Sequence, residues 1–173
     1  ADWQRQVVRE CLPAGNELIV EASHEAEGQK RFKLNGDLLP KLSEWVGQFR
    51  VVFFSPESLI LVKGSPGDRR RFLDQLICQI NPLYLSQLQR YQSSLRQRNE
   101  LLKQIRNHRQ SVDLLEPWDE LLVEDGVLIT KARTQVLDLL HQLAKIHHAQ
   151  LTQSTEVLNL RYCPSLQKVE TAD

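Results

Sequence analysis

The strongest constraint on the fold is a run of apolar side chains at alternating spacings of four and three. Tyr84, Leu88, Tyr91, Leu95, Leu102 and Ile105 follow it, and Arg98 holds the one place in that seam that is not apolar. After an interruption at Leu114-Leu115-Glu116-Pro117 the spacing resumes through Trp118, Leu122, Asp125, Ile129, Ala132, Val136, Leu139, Leu143 and Ile146. Such a pattern buries one stripe of each helix against a neighbour. Two long helices joined by a short connection then pair antiparallel.

The charges divide along the same line. Between Arg90 and Arg109 stand six basic residues (Arg90, Arg96, Arg98, Lys103, Arg106, Arg109) and one acid, Glu100. Between Asp113 and Asp125 stand six acids (Asp113, Glu116, Asp119, Glu120, Glu124, Asp125) and no base. The basic stretch could suit phosphate contact. The stronger reading is structural: an antiparallel hairpin folds the acidic stretch onto the basic one, so that cross-helix pairs absorb charge and set the register. Arg98 and Asp125, the two interruptions of the seam, are expected to approach each other directly or through a neighbour, at some cost in stability.

Ahead of the hairpin, Ser65-Pro66-Gly67-Asp68 supplies a capping hydroxyl, a proline at the first helical position and a carboxylate three residues after the cap. These satisfy free amides and complement the dipole, so a helix begins here. Phe72, Leu73, Leu76, Ile77 and Ile80 form its apolar face, and Asn81-Pro82 breaks it. Earlier still the chain reads as mixed α/β. Residues 17–23 and 29–34 predict a hairpin of strands, Asn35-Gly36-Asp37 a left-handed turn, residues 39–46 a short helix stopped at Gly47, and residues 50–55 a buried strand. Residues 157–162 alternate again and predict a strand, so the chain leaves a sheet, runs out and back along a helical arm, and returns.

Composition narrows the function. With 173 residues, 41% hydrophobic and 25% charged, the chain suits one globular domain or two small subdomains. Its 22 basic residues equal its 22 acidic ones, so any argument for nucleic acid must be local. Cys11, Cys78 and Cys163 are odd in number and far apart, which fits reduced thiols and a cytoplasmic location. No apolar run approaches the roughly 18 residues of a membrane span, and the start has no signal-peptide character. The absence of methionine suggests a piece excised from a longer protein, and N-terminal processing would explain the missing initiator equally well. His108, His141, His147 and His148 lack the spaced companions of a metal site, and no residue is expected to be catalytic.

Residues 56–74, Pro-Glu-Ser-Leu-Ile-Leu-Val-Lys-Gly-Ser-Pro-Gly-Asp-Arg-Arg-Arg-Phe-Leu-Asp, resemble a signature stretch of the RecF family. Asn35-Gly36, Leu42-Ser43, Val51-Val52-Phe53, Tyr84-Leu85, residues 97–102, Trp118-Asp119 and Tyr162-Cys163-Pro164-Ser165 extend the resemblance along nearly the whole chain. The resemblance implies an α/β (α+β) fragment: part of the head sheet of an ATPase of the structural-maintenance-of-chromosomes and ABC type, with an antiparallel helical arm. Residues 1–64 would belong to the ATPase lobe, 65–153 to the arm, and 154–173 to a strand returning to the lobe. The family implies recombinational repair at single-strand DNA gaps with RecO and RecR, help in loading RecA, and an ATP-dependent homodimer holding ATP and magnesium. It places the phosphate-binding loop upstream of Ala1, and the signature loop and Walker B acids downstream of Asp173.

The same resemblance puts Ser55, Pro56 and Glu57 at a hinge like the Q-loop of related ATPases. The glutamine itself is absent, and Glu57 also reads simply as an acid at the start of a short helix. Lys63, Arg69, Arg70 and Arg71 are candidates for contact with DNA or a dimer interface, because cations early in a helix oppose its dipole. Structural pairing is the competing role, with Asp74, one turn on from Arg70, as local partner. A helical-hairpin interaction module with no nucleotide-linked role is the alternative for the whole chain. Since no G-x-x-x-x-G-K-[ST] occurs, this chain is expected neither to bind ATP tightly nor to hydrolyse it. Calorimetry should register no micromolar binding, and a micromolar isotherm would overturn that expectation.

Overall fold

The computed structural model describes residues 3–11, 17–25, 30–48, 50 and 52–164. Strands β1 (Trp3–Cys11), β2 (Glu17–Glu25), β3 (Lys30–Leu34) and β4 (Asp37–Leu38) form one antiparallel sheet in the order β1-β2-β3-β4. The β2–β3 hairpin agrees with the alternating sequence. β1 carries no such signal, because its residues are mostly polar, yet it pairs with β2 along its whole length. Register between β3 and β4 is set by the two-residue turn: Asn35 (φ 51°) and Gly36 (φ 93°) both take the left-handed conformation that a tight hairpin needs. Asn35 is also clasped to β2, since its side-chain oxygen accepts from the Ile19 amide at 2.9 Å.

Helix α1 (Leu42–Trp45) is shorter than residues 39–46 would suggest, and lies over the sheet with the Trp45 ring 5.2 Å from that of Phe32. The chain then turns at Gly47, with φ 89°. A Cβ there would stand 3.1 Å from the Gln79 carbonyl, so the turn and the next helix meet backbone to backbone. Val46 packs into the helical core and ties the sheet to it.

Residues 50 and 52–55 depart from expectation. No ladder forms there among the described residues, and Val52, Phe53 and Phe54 are 96%, 79% and 81% exposed. An apolar run becomes a buried strand only when a neighbouring strand takes up its amides and carbonyls, and none lies beside this one among the described residues.

The helical part follows the sequence closely. A 3-10 turn (Pro56–Leu59) and helix α2 (Ile60–Lys63) lead to α3 (Pro66–Ile80). Ser65 Oγ accepts from the Asp68 amide while the Ser65 amide donates to the Asp68 carboxylate at 2.8 Å, a reciprocal cap. Asn81 closes α3 and opens α4 (Pro82–Arg106), its side chain accepting from the Leu83 and Tyr84 amides. After a turn capped by Ser111, α5 (Glu116–Leu151) returns antiparallel to α4. Pro117 is harmless in the first turn, where no amide needs a helical partner.

Ile77, Cys78, Tyr84 and Ile129 form the core, with Leu85, Leu88, Tyr91, Ala132 and Val136 packed around it. The apolar face of α3 is rotated from the expected one: Leu73, Ile77 and Cys78 are buried, whereas Phe72 and Ile80 are largely exposed. The seam also stops early. Leu139, Leu143 and Ile146 are 61%, 57% and 56% exposed, because α5 has 36 residues and α4 only 25, and the last turns of α5 run past the start of α4.

Residues 157–164 form no strand. The segment returns along α5 instead, where the Leu160 amide donates to His141 Nδ1 at 3.1 Å. Residues 165–173, which complete the expected returning strand, lie outside the described residues.

Gly126 lies in the middle of α5 facing Tyr91, and a Cβ there would meet the ring at 3.5 Å, an ordinary contact. Gly126→Ala is therefore expected to stabilise the chain by about 0.5–1 kcal/mol through helix propensity. Denaturant titration checks this, and a loss of stability would show that the helices approach too closely for a methyl group.

Candidate functional site

Four segments meet at the foot of the hairpin around one carboxylate. Asp74, on α3, receives Arg133 of α5 in a bidentate pair, Nε to Oδ1 and a terminal nitrogen to Oδ2, both at 2.8 Å. The Tyr84 hydroxyl of α4 donates to the same carboxylate at 2.5 Å. Arg133 also donates to the Tyr162 hydroxyl at 3.4 Å, which brings in the returning tail. Both charged side chains are only 14% exposed. Burial, and then the hydrogen bond to Asp74, push the Tyr84 phenol well above its ordinary range. Burial alone would discourage charge on Arg133, but its bonds to Asp74 and Tyr162 outweigh that and hold it firmly protonated. The junction is a structural lock with no reactive group.

This corrects the local reading of the arginine cluster, in which Asp74 pairs with Arg70. The carboxylate points inward to a residue 59 positions away. Arg69 is anchored differently, donating to the Gly64 carbonyl at 2.9 Å. Lys63, Arg70 and Arg71 are exposed and have no ion pair among the described residues. Asp68, in the same turn, has its carboxyl held below the usual range by hydrogen bonds from Ser65 and, less strongly, by Arg71 and Arg69. The cluster thus presents positive charge at a helix start on a rigid base.

At the proposed hinge, the Ser58 amide donates to the Ser55 carbonyl at 2.9 Å, and the Ser55 amide to Ser58 Oγ at 3.1 Å. Glu57 lies in the first turn of that 3-10 segment, its carboxyl lowered by a hydrogen bond from Ser55. This is the geometry of an acid at a helix start.

Gly64 and Ser65 open a helix, the place where a phosphate cradle would sit. The space is already filled: a Cβ on Gly64 would fall 2.4 Å from the Ile60 carbonyl, and the Gly64 amide is bonded to that carbonyl at 2.7 Å. The glycine serves the tight α2–α3 corner, and these residues do not fit a nucleotide phosphate. Among the described residues no group of three histidines, cysteines or acids could hold a metal ion. Burial pushes the Cys78 thiol up to about 11, whereas Cys163 is exposed.

Higher in the hairpin, charge pairing sets the alignment. Asp125 is fully buried and takes Arg90 in a two-pronged pair at 2.7 and 2.5 Å, with Glu124 at 3.8 Å from the same guanidinium. Arg98 pairs with Asp119. The two seam interruptions therefore each find a partner on the opposite helix, but they do not meet each other. With Arg90 level with Asp125, Arg98 stands near residue 117, about 12 Å along the helix from Asp125. Sequence periodicity marks seam positions but leaves the offset between helices open. Nothing local marks Arg133 as the partner of Asp74 either, since the pairing joins separate helices.

No family model matches the chain. Curated relatives do. The DNA replication and repair protein RecF of Acetivibrio thermocellus is 36% identical over 147 residues, 85% of this chain and 40% of that protein. That of Desulforamulus reducens is 44% identical over 140 residues, 81% of this chain and 37% of the relative. The chain thus spans about two fifths of the length of the curated relatives it matches. A solved structure of the recombination mediator protein RecF-ATP in the RecFOR pathway is 31% identical, covers 88% of this chain and 41% of that one, and superposes with a TM-score of 0.80. A second, of RecF-ATPrS, gives 32% identity and a TM-score of 0.77.

Arg133→Met should leave Asp74 buried without its guanidinium and cost about 3 kcal/mol, whereas Arg133→Met with Asp74→Leu should cost less than the single change. Thermal and denaturant unfolding read both; a single variant within about 1 kcal/mol of wild type would show that the junction is not a lock. With its sequence matched over about four fifths of its length and its backbone matched to RecF structures, the chain belongs to the RecF family, as an α/β segment of it.

Proposed function

We propose that this chain supplies the lobe-to-arm hinge and the helical arm of an ATP-dependent, DNA-binding repair protein of the RecF kind. The observation that carries the reading is the coincidence of 36–44% identity with a TM-score of 0.80 to a RecF structure described with ATP. In this reading residues 1–64 belong to the ATPase lobe, 65–153 to the arm and 154–173 to the return into the lobe. ATP and magnesium are held by parts of the parent outside this chain, a reading supported by the lack of a G-x-x-x-x-G-K-[ST] motif in it. The parent acts at single-strand gaps with RecO and RecR to promote RecA loading, and dimerises with ATP.

Within that role Lys63, Arg69, Arg70 and Arg71 contact DNA phosphates, and Ser55, Pro56 and Glu57 form the hinge. Supporting the first assignment, Lys63, Arg70 and Arg71 are exposed and unpaired among the described residues, above a buried ion pair that fixes α3. Phosphate contacts release counterions, so affinity falls with salt in proportion to their number. Titration of gapped DNA at several salt concentrations should show Arg70→Ala with Arg71→Ala weakening binding for all sequences and lowering the salt slope by about one per lost contact. Unchanged affinity and slope would remove these residues from the DNA surface.

A further inference from the structure

The tail that follows α5 is fastened by side chains and not by a ladder. Gln153 (φ 51°) and Ser154 (φ 61°) take the left-handed conformation in succession and reverse the chain, although residues with a Cβ disfavour it. Residues 157–162 then run back down α5. No backbone-to-backbone hydrogen bond holds them among the described residues. Three side chains of α5 do so instead: His148 Nε2 lies 3.7 Å from the Glu156 carboxylate, His141 Nδ1 accepts from the Leu160 amide at 3.1 Å, and Arg133 donates to the Tyr162 hydroxyl at 3.4 Å. Positions 148, 141 and 133 follow one another at about two turns and fall within about 80° round the helix, so they form one line of attachment. Along the tail Leu158, Leu160 and Tyr162 are half-buried, while Val157, Asn159 and Arg161 are exposed. That is the alternation of a strand, laid here on a helix.

The middle attachment differs from the other two in what a proton does to it. A histidine nitrogen accepts a hydrogen bond only through a bare lone pair, so the bond from Leu160 requires a neutral ring with its proton on Nε2. A proton on Nδ1 turns the acceptor into a donor and sets it against the Leu160 N–H. The attachment nearest the turn responds in the opposite sense, since a charged His148 attracts Glu156. Arg133 is held firmly protonated, so its contact with Tyr162 stays as it is. The charged and titratable groups around His141 are Asp138 and Lys145, one turn to either side on α5, Arg161 and Tyr162 on the tail, and Asp68 and Arg70 toward the start of the antiparallel α3. None makes an ion pair with His141 among the described residues. Both signs of charge are present, so the bond from Leu160 is what sets the two forms of the ring apart at this site.

We infer that residues 157–162 are a strap, fastened on α5 by neutral His141 and released when that ring takes a proton, while the hairpin stays folded. The sign follows from the acceptor. Histidine changes charge between about pH 8 and about pH 5, and the strap is closed at the upper end of that interval and open at the lower. The arm itself is unaffected, because the core of Ile77, Cys78, Tyr84 and Ile129 and the pairing of Arg90 with Asp125 do not involve the strap. The turn also stays in place, held by bonds from the Thr152 and Ser154 amides to the His148 and Ala149 carbonyls and, on acidification, by His148 with Glu156. Release therefore uncovers Leu158, Leu160 and Tyr162 and leaves an alternating segment free to join a ladder.

Heteronuclear NMR of this chain tests the inference. At about pH 8 the ring nitrogens of His141 should show the proton on Nε2. On acidification to about pH 5 the heteronuclear NOE of residues 157–162 should fall to that of a mobile chain, with the same midpoint as the His141 ring, while residues 116–151 keep theirs and the circular dichroism is unchanged. His141→Gln, whose side-chain oxygen can accept the same amide without titrating, should abolish the response to pH. A wild-type strap equally ordered at both ends of the interval, a release whose midpoint differs from that of the His141 ring, or a His141→Gln chain that still responds would overturn the inference.

Discussion

The geometry of this chain depends on a carboxylate that water cannot reach. Asp125 is fully buried at the seam of the hairpin, and Arg90 reaches across from the other helix to meet it with two nitrogens. An unpaired charge in that position would be strongly destabilising, whereas a leucine there could slide against its apolar neighbours at little cost. The pair therefore selects one alignment of α4 and α5 from the several that a repeating apolar stripe would accept. From that alignment follow the pairing of Arg98 with Asp119, the packing of Tyr91 beside Gly126, and the length of α5 that extends beyond α4.

A second buried ion pair works at the other end. Asp74 and Arg133 join α3 to α5, Tyr84 adds α4, and Tyr162 adds the returning tail, so four segments share one polar junction beside the apolar core of Ile77, Cys78 and Ile129. One pair sets how far the arm helices slide past each other, and the other sets how the arm is seated on the helix that bears Arg69, Arg70 and Arg71. A charge cluster mounted on so fixed a base can hold its geometry toward a partner without ordering it anew at each encounter.

How much of this was legible depended on whether the signal was local. The start of α3 could be read because Ser65, Pro66 and Asp68 act within a single turn, and the hairpin because the seam repeats many times between Tyr84 and Val136. The Asn35-Gly36 turn was legible for the same reason. What failed was everything set by distant partners. Residues 50–55 have the apolar character of a strand and residues 157–162 its alternation, but among the described residues neither has a neighbour to complete a ladder, and the second is held by His141 and Arg133 instead. Asp74 offered an arginine one turn away and took one 59 residues distant. Of the candidate site, the exposed arginines were visible in the sequence, and the ion pair beneath them was not.

The register of the hairpin is the claim on which the others rest, and a pair of double-mutant cycles addresses it directly. One cycle joins Arg90 and Asp125; the other joins Arg98 and Asp125, which the seam pattern alone would have paired. The account predicts a coupling energy well outside experimental error for Arg90 with Asp125 and none for Arg98 with Asp125. The opposite result, with Asp125 coupled to Arg98 and indifferent to Arg90, would place the helices about two turns out of the alignment described and contradict the account.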